Sequence, residues 1–275
     1  MIYELVKRSH VALKDMATFT QEQVDKVCEA VALAALDNHM KIAKMAVAET
    51  KRGVVEDKAI KNMYASEYIW NSIRDDKTVG IIDDDDEKQM MKIAEPVGVV
   101  AGVTPVTNPT STVVFKTLIS LKTRNTIIFG FHPQAQNCCV ETAKIIRAAA
   151  IEAGAPEDAI QWISKPSIEA TGALMNHDGV ATVLATGGPG MVKAAYSTGK
   201  PALGVGPGNG PSYIEATADI KQAVNDIVLS KTFDNGMVCA SENSAVVDAS
   251  IYDKVKQEFE YWNCYFLKKS EVPAL

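Results

Sequence analysis

Up to Trp70 the apolar positions of the chain recur at helical spacing. Val24, Val27, Cys28, Val31 and Ala35 would share one helix face, and Thr20 followed three residues later by Gln23 fits a capping box. A second helix is predicted over 38–50; Gly53 breaks it, and 57–70 resumes the period with Ile60, Met63, Tyr64 and Ile69. Between residues 78 and 94 the pattern changes to short β-like pieces around Asp83, Asp84, Asp85 and Asp86, which reads as a hairpin connection. The acidic run is expected to be a solvated turn, because no glycine or further ligand follows at calcium-loop spacing.

Beyond Pro96 apolar strands alternate with helices, the pattern of a mostly parallel sheet with crossover helices. Strands are expected at VGVVAGV and over 126–131, 160–163 and 180–185. Helices are expected over 111–122, 134–153 and 167–175. This is a dinucleotide-binding layout, and the fold class is α/β. After a glycine-rich stretch ending at Gly210 come a short strand at Tyr213 and Ile214, a helix over 219–230 and the loop FDNGMVCASEN. A strand over 244–247, a last helix and a last strand follow. The expected domains are a helical segment and hairpin over 1–95, a Rossmann-like NAD-binding domain over 96–231, and the start of a catalytic domain over 232–275.

Composition narrows the class. With 275 residues, 47% of them hydrophobic, the chain can bury a large core and is not a disordered tail. A net charge of -6 without a basic stripe argues against broad nucleic-acid binding. The N-terminus lacks the apolar core of a secretory signal, and no run reaches the roughly 18 apolar residues of a membrane span. The expectation is a cytoplasmic protein. The five cysteines are odd in number and lack metal-ligand spacing, so free thiols are expected.

Three stretches could carry chemistry. VTPVTNP, 103–109, leaves a buried strand and enters a helix, so its N–H groups and the helix dipole would face an anionic or electron-rich ligand. An ordinary turn capped by Thr110 or Ser111 would also explain it, except for Asn108. LATGGPGMVKAAY places Gly187, Gly188 and Gly190 between a strand and a helix, where a tight turn needs fewer glycines and a phosphate would use all three. GVGPGNGP, from Gly204, repeats the argument. Cys239 lies in a loop where Asn235 and Gly236 permit unusual backbone angles, and a reactive thiolate needs such exposure. Cys28, Cys138 and Cys139 fall on helices and Cys264 on the last strand, where cysteine behaves as a small buried hydrophobe. His132 follows a strand end; His10, His39 and His177 have no motif around them.

EPVGVVAGVTPVTNPTSTVVFKTLISLKTRN, ATGGPGMVKAAYSTGKPALGVGPGN and KTFDNGMVCASEN resemble the CoA-acylating aldehyde dehydrogenases. The similarity is greatest to the N-terminal domain of the bifunctional aldehyde/alcohol dehydrogenases of bacterial fermentation and covers nearly the whole chain; FTQEQVDK, KMAVAET and SEYIWN also fit. It implies an aldehyde dehydrogenase-like fold: N-terminal helices, a Rossmann-type NAD domain and the start of a second α/β domain. It implies NAD as cofactor and CoA as co-substrate, with acetyl-CoA reduced to acetaldehyde through a cysteine acyl-enzyme. The nucleophile falls on Cys239 and the oxyanion-stabilising asparagine on Asn108. The nicotinamide-side loop falls on Val103, Thr104, Pro105, Val106, Thr107 and Asn108, with Gly188 and Gly206 in the cofactor cleft. His132 stands where many aldehyde dehydrogenases place a lysine near the adenosine ribose.

The resemblance further implies homo-oligomers or helical filaments, and a continuation that completes the catalytic domain and adds an oligomerisation hairpin. Iron would belong to the alcohol dehydrogenase half, not to this segment, so the chain is expected to be a fragment or partly observed. The hydrolysing relatives carry a glutamate in a Glu-Leu-Gly-Gly-Lys motif; here the stretch reads LGVGPGNGP, with no carboxylate until Glu215. The competing reading is a truncated cofactor-binding or filament module without turnover. A zinc or short-chain dehydrogenase would need a metal cluster or a Tyr-x-x-x-Lys pair in a convincing setting.

Overall fold

The computed structural model describes residues 1–274. The packing separates two compact units, Met1–Pro207 and Gly208–Leu275. In the first, a five-stranded parallel sheet is built from β3 (Val99–Val103), β4 (Thr126–Gly130), β5 (Ile160–Trp162), β6 (Thr182–Thr186) and β7 (Ala202–Val205) in the order β5-β4-β3-β6-β7. All five residues of β3 and of β4 are buried, the mark of strands covered on both faces.

Alternation along these strands sorts the core into two layers. Val100, Ile127 and Phe129 point to one face, under α2 (Gln21–Asp37), α6 (Pro109–Lys122) and α7 (Gln136–Glu152). Val99, Ala101, Val103 and Ile128 point to the other, under α1 (Ile2–Ala17), α8 (Ile168–Asn176) and α9 (Pro189–Tyr196). The capping box expected at Thr20 and Gln23 is present and starts α2. Helices α3 (His39–Thr50), α4 (Val55–Met63) and α5 (Ile69–Ile73) complete the preface, with a π-helical turn over Tyr64–Tyr68 inside the segment expected to be one continuous helix. The N-terminal helices thus belong to the same packing unit as the sheet.

The hairpin is formed by β1 (Gly80–Asp85) and β2 (Met90–Ala94). Its acidic run lies mostly within β1, and Asp83 and Asp85 pair with Lys92 and Lys88 at 2.7 and 2.6 Å. The second unit joins β8 (Gly210–Ile214) and β9 (Glu242–Val247) in parallel, with α10 (Ile220–Thr232) and α11 (Tyr252–Tyr261) packed through Ile214, Val224, Ile251 and Val255. Helix α10, expected before a boundary at 231, packs within this unit. The last strand, expected around Cys264, is absent: after α11 the chain turns through Asn263, whose φ of 61° ends regular structure. Strand β7 lay unassigned in the sequence because it is four residues long and includes Gly204, the first glycine of the cluster. No described helix is long and apolar enough to cross a membrane.

Strand order reverses between β3 and β6, and a buried lysine spans that seam. Lys116 of α6 donates from Nζ to Val103 O and Leu184 O, both at 2.6 Å, so one amine ties the end of β3 to the middle of β6. Burial pushes its pKa down from 10.5 to about 7. Between those values the unfolded chain holds a proton that the folded chain has released, so this contribution to stability rises with pH from 7 to 10 and is least below 7. Urea unfolding from pH 7 to 10 should show the parent gaining on Lys116→Met by up to a few kcal/mol across the window. A constant difference between the two proteins would mean that Lys116 keeps its ordinary proton affinity.

Candidate active site

Strand β3 delivers the chain to Thr104, whose N–H donates to Gly130 O at 3.2 Å and whose hydroxyl lies 3.9 Å from Cys139 Sγ. These contacts extend the strand by one residue before the chain bends through Pro105, Val106 and Thr107. Asn108 occupies the N-cap position of α6 with Pro109 at the first helical turn, yet its side chain does not cap. Lys61 Nζ donates to Asn108 Oδ1 at 2.7 Å, and Asn108 Nδ2 lies 3.4 Å from Thr107 Oγ1. The Thr110 cap weighed from the sequence is not formed; that hydroxyl donates to Asn62 Oδ1 at 2.7 Å. Lys58, itself buried, donates to Thr107 O at 2.8 Å. An asparagine whose amide is held away from its own helix can present an N–H to a ligand oxygen.

The loop after β6 begins on the other side of the seam. Gly187 N donates to Val205 O at 3.1 Å, and Gly188 is the N-cap of α9, its carbonyl accepting from Met191 and Val192. A Cβ on Gly188 would meet nothing within 4 Å, so the backbone there borders open space. The connections after β3 and β6 run to opposite sides, and in parallel sheets such a reversal is where a crevice forms at the carboxyl ends of the strands. With the N-terminal ends of α6 and α9 beside it, the crevice suits an extended, anionic cofactor. Gly206 has ordinary room beside Val192, at 3.6 Å.

Within the second unit, Cys239 is exposed, as the loop reading expected. Its approach is unusual: Asp234, Asn235 and Gly236 take φ of 51°, 53° and 73°, three successive left-handed residues of which only the last is a glycine. A Cβ on Gly208 would collide with Cys239 O, so the two segments can pass only because that residue is glycine. Asn243 Nδ2 holds Gly208 O at 2.6 Å, and Lys231 Nζ holds Asn243 Oδ1 at 2.6 Å. Gly208 lay inside a cluster singled out in the sequence, but its partner did not show there.

Three of the other thiols are buried. Burial pushes Cys28 up to about 12 and Cys139 well up. Cys138 is buried with Sγ 3.3 Å from Ala135 O, and Cys264 lies half-buried in irregular chain. His132 accepts from Gln134 N at 3.2 Å and so caps a short turn after β4; partial burial and Arg52 lower its pKa. His10 binds Gly179 O, and His177 accepts from Gly179 N, which gives both a structural use. Lys58, Lys61 and Lys116 escaped the sequence reading. The only signals were lysines three apart on α4 and a lone lysine within STVVFKTLISL.

Comparison with known proteins places this architecture. The sequence profile of the aldehyde dehydrogenase family matches residues 2–261. Aldehyde-alcohol dehydrogenase 2 of Entamoeba histolytica is 57% identical over 100% of this chain and 32% of its own length. The chain therefore spans about a third of that curated relative. An acetylating aldehyde dehydrogenase from Geobacillus thermoglucosidasius superposes with a TM-score of 0.93 at 50% identity, over 98% of this chain and 60% of that one. A propionaldehyde dehydrogenase from Rhodopseudomonas palustris, solved with CoA and an acylated cysteine, superposes at 0.85 with 31% identity, over 100% of this chain and 62% of that one. With the parallel sheet, its reversed strand order and the exposed thiol already in view, these matches settle the affiliation: the chain belongs to the aldehyde dehydrogenase family.

Proposed function

We propose that the chain serves a CoA-acylating, NAD(H)-dependent acetaldehyde dehydrogenase, acting through a Cys239 acyl-enzyme within a bifunctional aldehyde/alcohol dehydrogenase of fermentation. The observation that carries it is the exposure of Cys239 alone, in a loop braced by Gly208 and Asn243, while Cys28, Cys138 and Cys139 are buried. The acylated cysteine and bound CoA of the Rhodopseudomonas enzyme support the same chemistry. In this reading 96–231 serves the cofactor, 232–275 opens the catalytic part, and homo-oligomers or filaments form in the cytoplasm.

The Cys239 thiolate attacks the thioester carbonyl of acetyl-CoA. A new carbon–sulfur bond forms, the bond to CoA breaks, and CoA leaves as a thiolate that takes a proton from solvent. The crevice at Thr104 to Asn108, Gly188 and Gly206 would hold the nicotinamide cofactor, which supplies hydride to the acyl carbonyl when bound. Asn108 Nδ2–H stabilises the oxyanion in both steps. The oxyanion of the thiohemiacetal re-forms the carbonyl, the bond to Cys239 Sγ breaks, and acetaldehyde leaves with the electron pair returned to the Cys239 thiolate. The cofactor's phosphates fit the open backbone at Gly188 and the N-terminus of α9.

Release of the acyl group in the oxidative direction follows from the same residues. No carboxylate stands in LGVGPGNGP, and Glu215 is engaged by the N–H and hydroxyl of Thr217. Water thus lacks a general base, worth about a hundred- to ten-thousandfold. CoA, a better nucleophile, needs less help.

Cysteine replacements in the intact enzyme should sort cleanly: Cys239→Ala abolishes acetyl-CoA reduction and Cys138→Ala retains it. Near-normal turnover by Cys239→Ala would overturn the assignment, and NADH binding without turnover by the parent would favour the cofactor-binding or filament module. Asn108→Ala should lose about a hundred- to thousandfold in turnover with NADH affinity little changed; normal turnover with weakened NADH binding would move Asn108 to the cofactor. Acetaldehyde oxidation should be sustained only with CoA present and yield acetyl-CoA, so steady acetate formation without CoA at a similar rate would refute the release step.

A further inference from the structure

Helix α4 grips the loop after β3 and the first turn of α6 at three points. Lys58 holds Thr107 O, Lys61 holds Asn108 Oδ1, and Asn62 accepts from Thr110 Oγ1, at 2.8, 2.7 and 2.7 Å. Residues 58, 61 and 62 share one side of the helix, so a single face of α4 seats the loop. We propose that Lys61 is a positioning residue for Asn108: its ammonium holds the amide oxygen and thereby aims the amide N–H at the reacting oxygen. This inference rests on the oxyanion role of Asn108 proposed above.

The amide oxygen and nitrogen are nearly equal in shape, and the torsion that exchanges them is broad and roughly two-fold. Packing alone therefore selects weakly between them. An ammonium only donates, so the atom facing Lys61 is the oxygen and the NH2 group is turned away from it. One N–H is directed toward Thr107 Oγ1 at 3.4 Å, which leaves the other to meet a ligand oxygen. The charge-assisted bond also draws electron density toward Oδ1, making the N–H a stronger donor. Both effects grow as negative charge develops on the substrate oxygen, so they act on turnover more than on binding.

Steady-state kinetics of the intact enzyme with acetyl-CoA and NADH test the proposal, using Lys61→Met, Lys61→Gln, Lys61→Arg, Asn108→Ala and the double variant Lys61→Met/Asn108→Ala. The uncharged variants should lower kcat about ten- to a hundredfold with both KM values little changed. Lys61→Arg, which still donates to Oδ1, should recover most of the loss. In the Asn108→Ala background Lys61→Met should cost nothing further, because its only route to the reaction is gone. An equal loss in both backgrounds, a loss confined to KM, or an unchanged kcat overturns the proposal. Normal turnover by Asn108→Ala is a different failure: it removes the oxyanion reading itself.

Discussion

The seam between β3 and β6 is the constraint from which the rest of the first unit follows. There the strand order reverses, and the connections after the two strands diverge from one edge of the sheet. Strand β3 is buried on both faces and has no water to satisfy its last carbonyl, and Lys116 meets it together with Leu184 O of β6 with one amine. Burying that amine lowers its proton affinity, yet a neutral amine still has two protons to donate. The tie therefore survives in either protonation state.

Around this seam, lysines are used as donors inside the fold. Lys116 links β3 to β6, Lys58 and Lys61 seat the loop at Thr107 and Asn108, and Lys122 joins Asp25 at 2.6 Å. Each bond fixes a backbone or side-chain oxygen and so restricts a segment that would otherwise pivot. Glu49 plays the matching acidic role, accepting from Asn137 N and Cys138 N at the start of α7. A helix N-terminus would ordinarily favour a thiolate in its first turn. With Glu49 there, and with burial dominating, Cys139 is held as a thiol.

The exposed and buried cysteines thus differ sharply in their surroundings. Cys239 sits beyond three left-handed residues, in a loop that Gly208 approaches too closely for any side chain. Left-handed backbone at Asp234 and Asn235 costs about 1 kcal/mol or more each and persists because the neighbouring structure demands it. Strain of this kind collects where a loop must hold one conformation.

Local sequence patterns determined the elements of this protein: the capping box at Thr20 and Gln23, the buried runs of β3 and β4, and the glycines that end β6. Those features follow from interactions within a few residues, which periodicity and capping chemistry report directly. The long motifs also carried the family and the candidate thiol, because a loop containing Asn235, Gly236 and Cys239 is recognisable as a string. What lies across the fold was not legible. Lys61 and Asn108 are 47 positions apart, Lys116 and Leu184 are 68 apart, and Gly208 meets a carbonyl beyond the intervening α10. The final helix gave no hint that irregular chain follows it, and β7 was too short to stand out before it paired with β6. Hydrogen bonds of that reach depend on which faces the helices and strands turn to one another, and only the packed tertiary structure decides that.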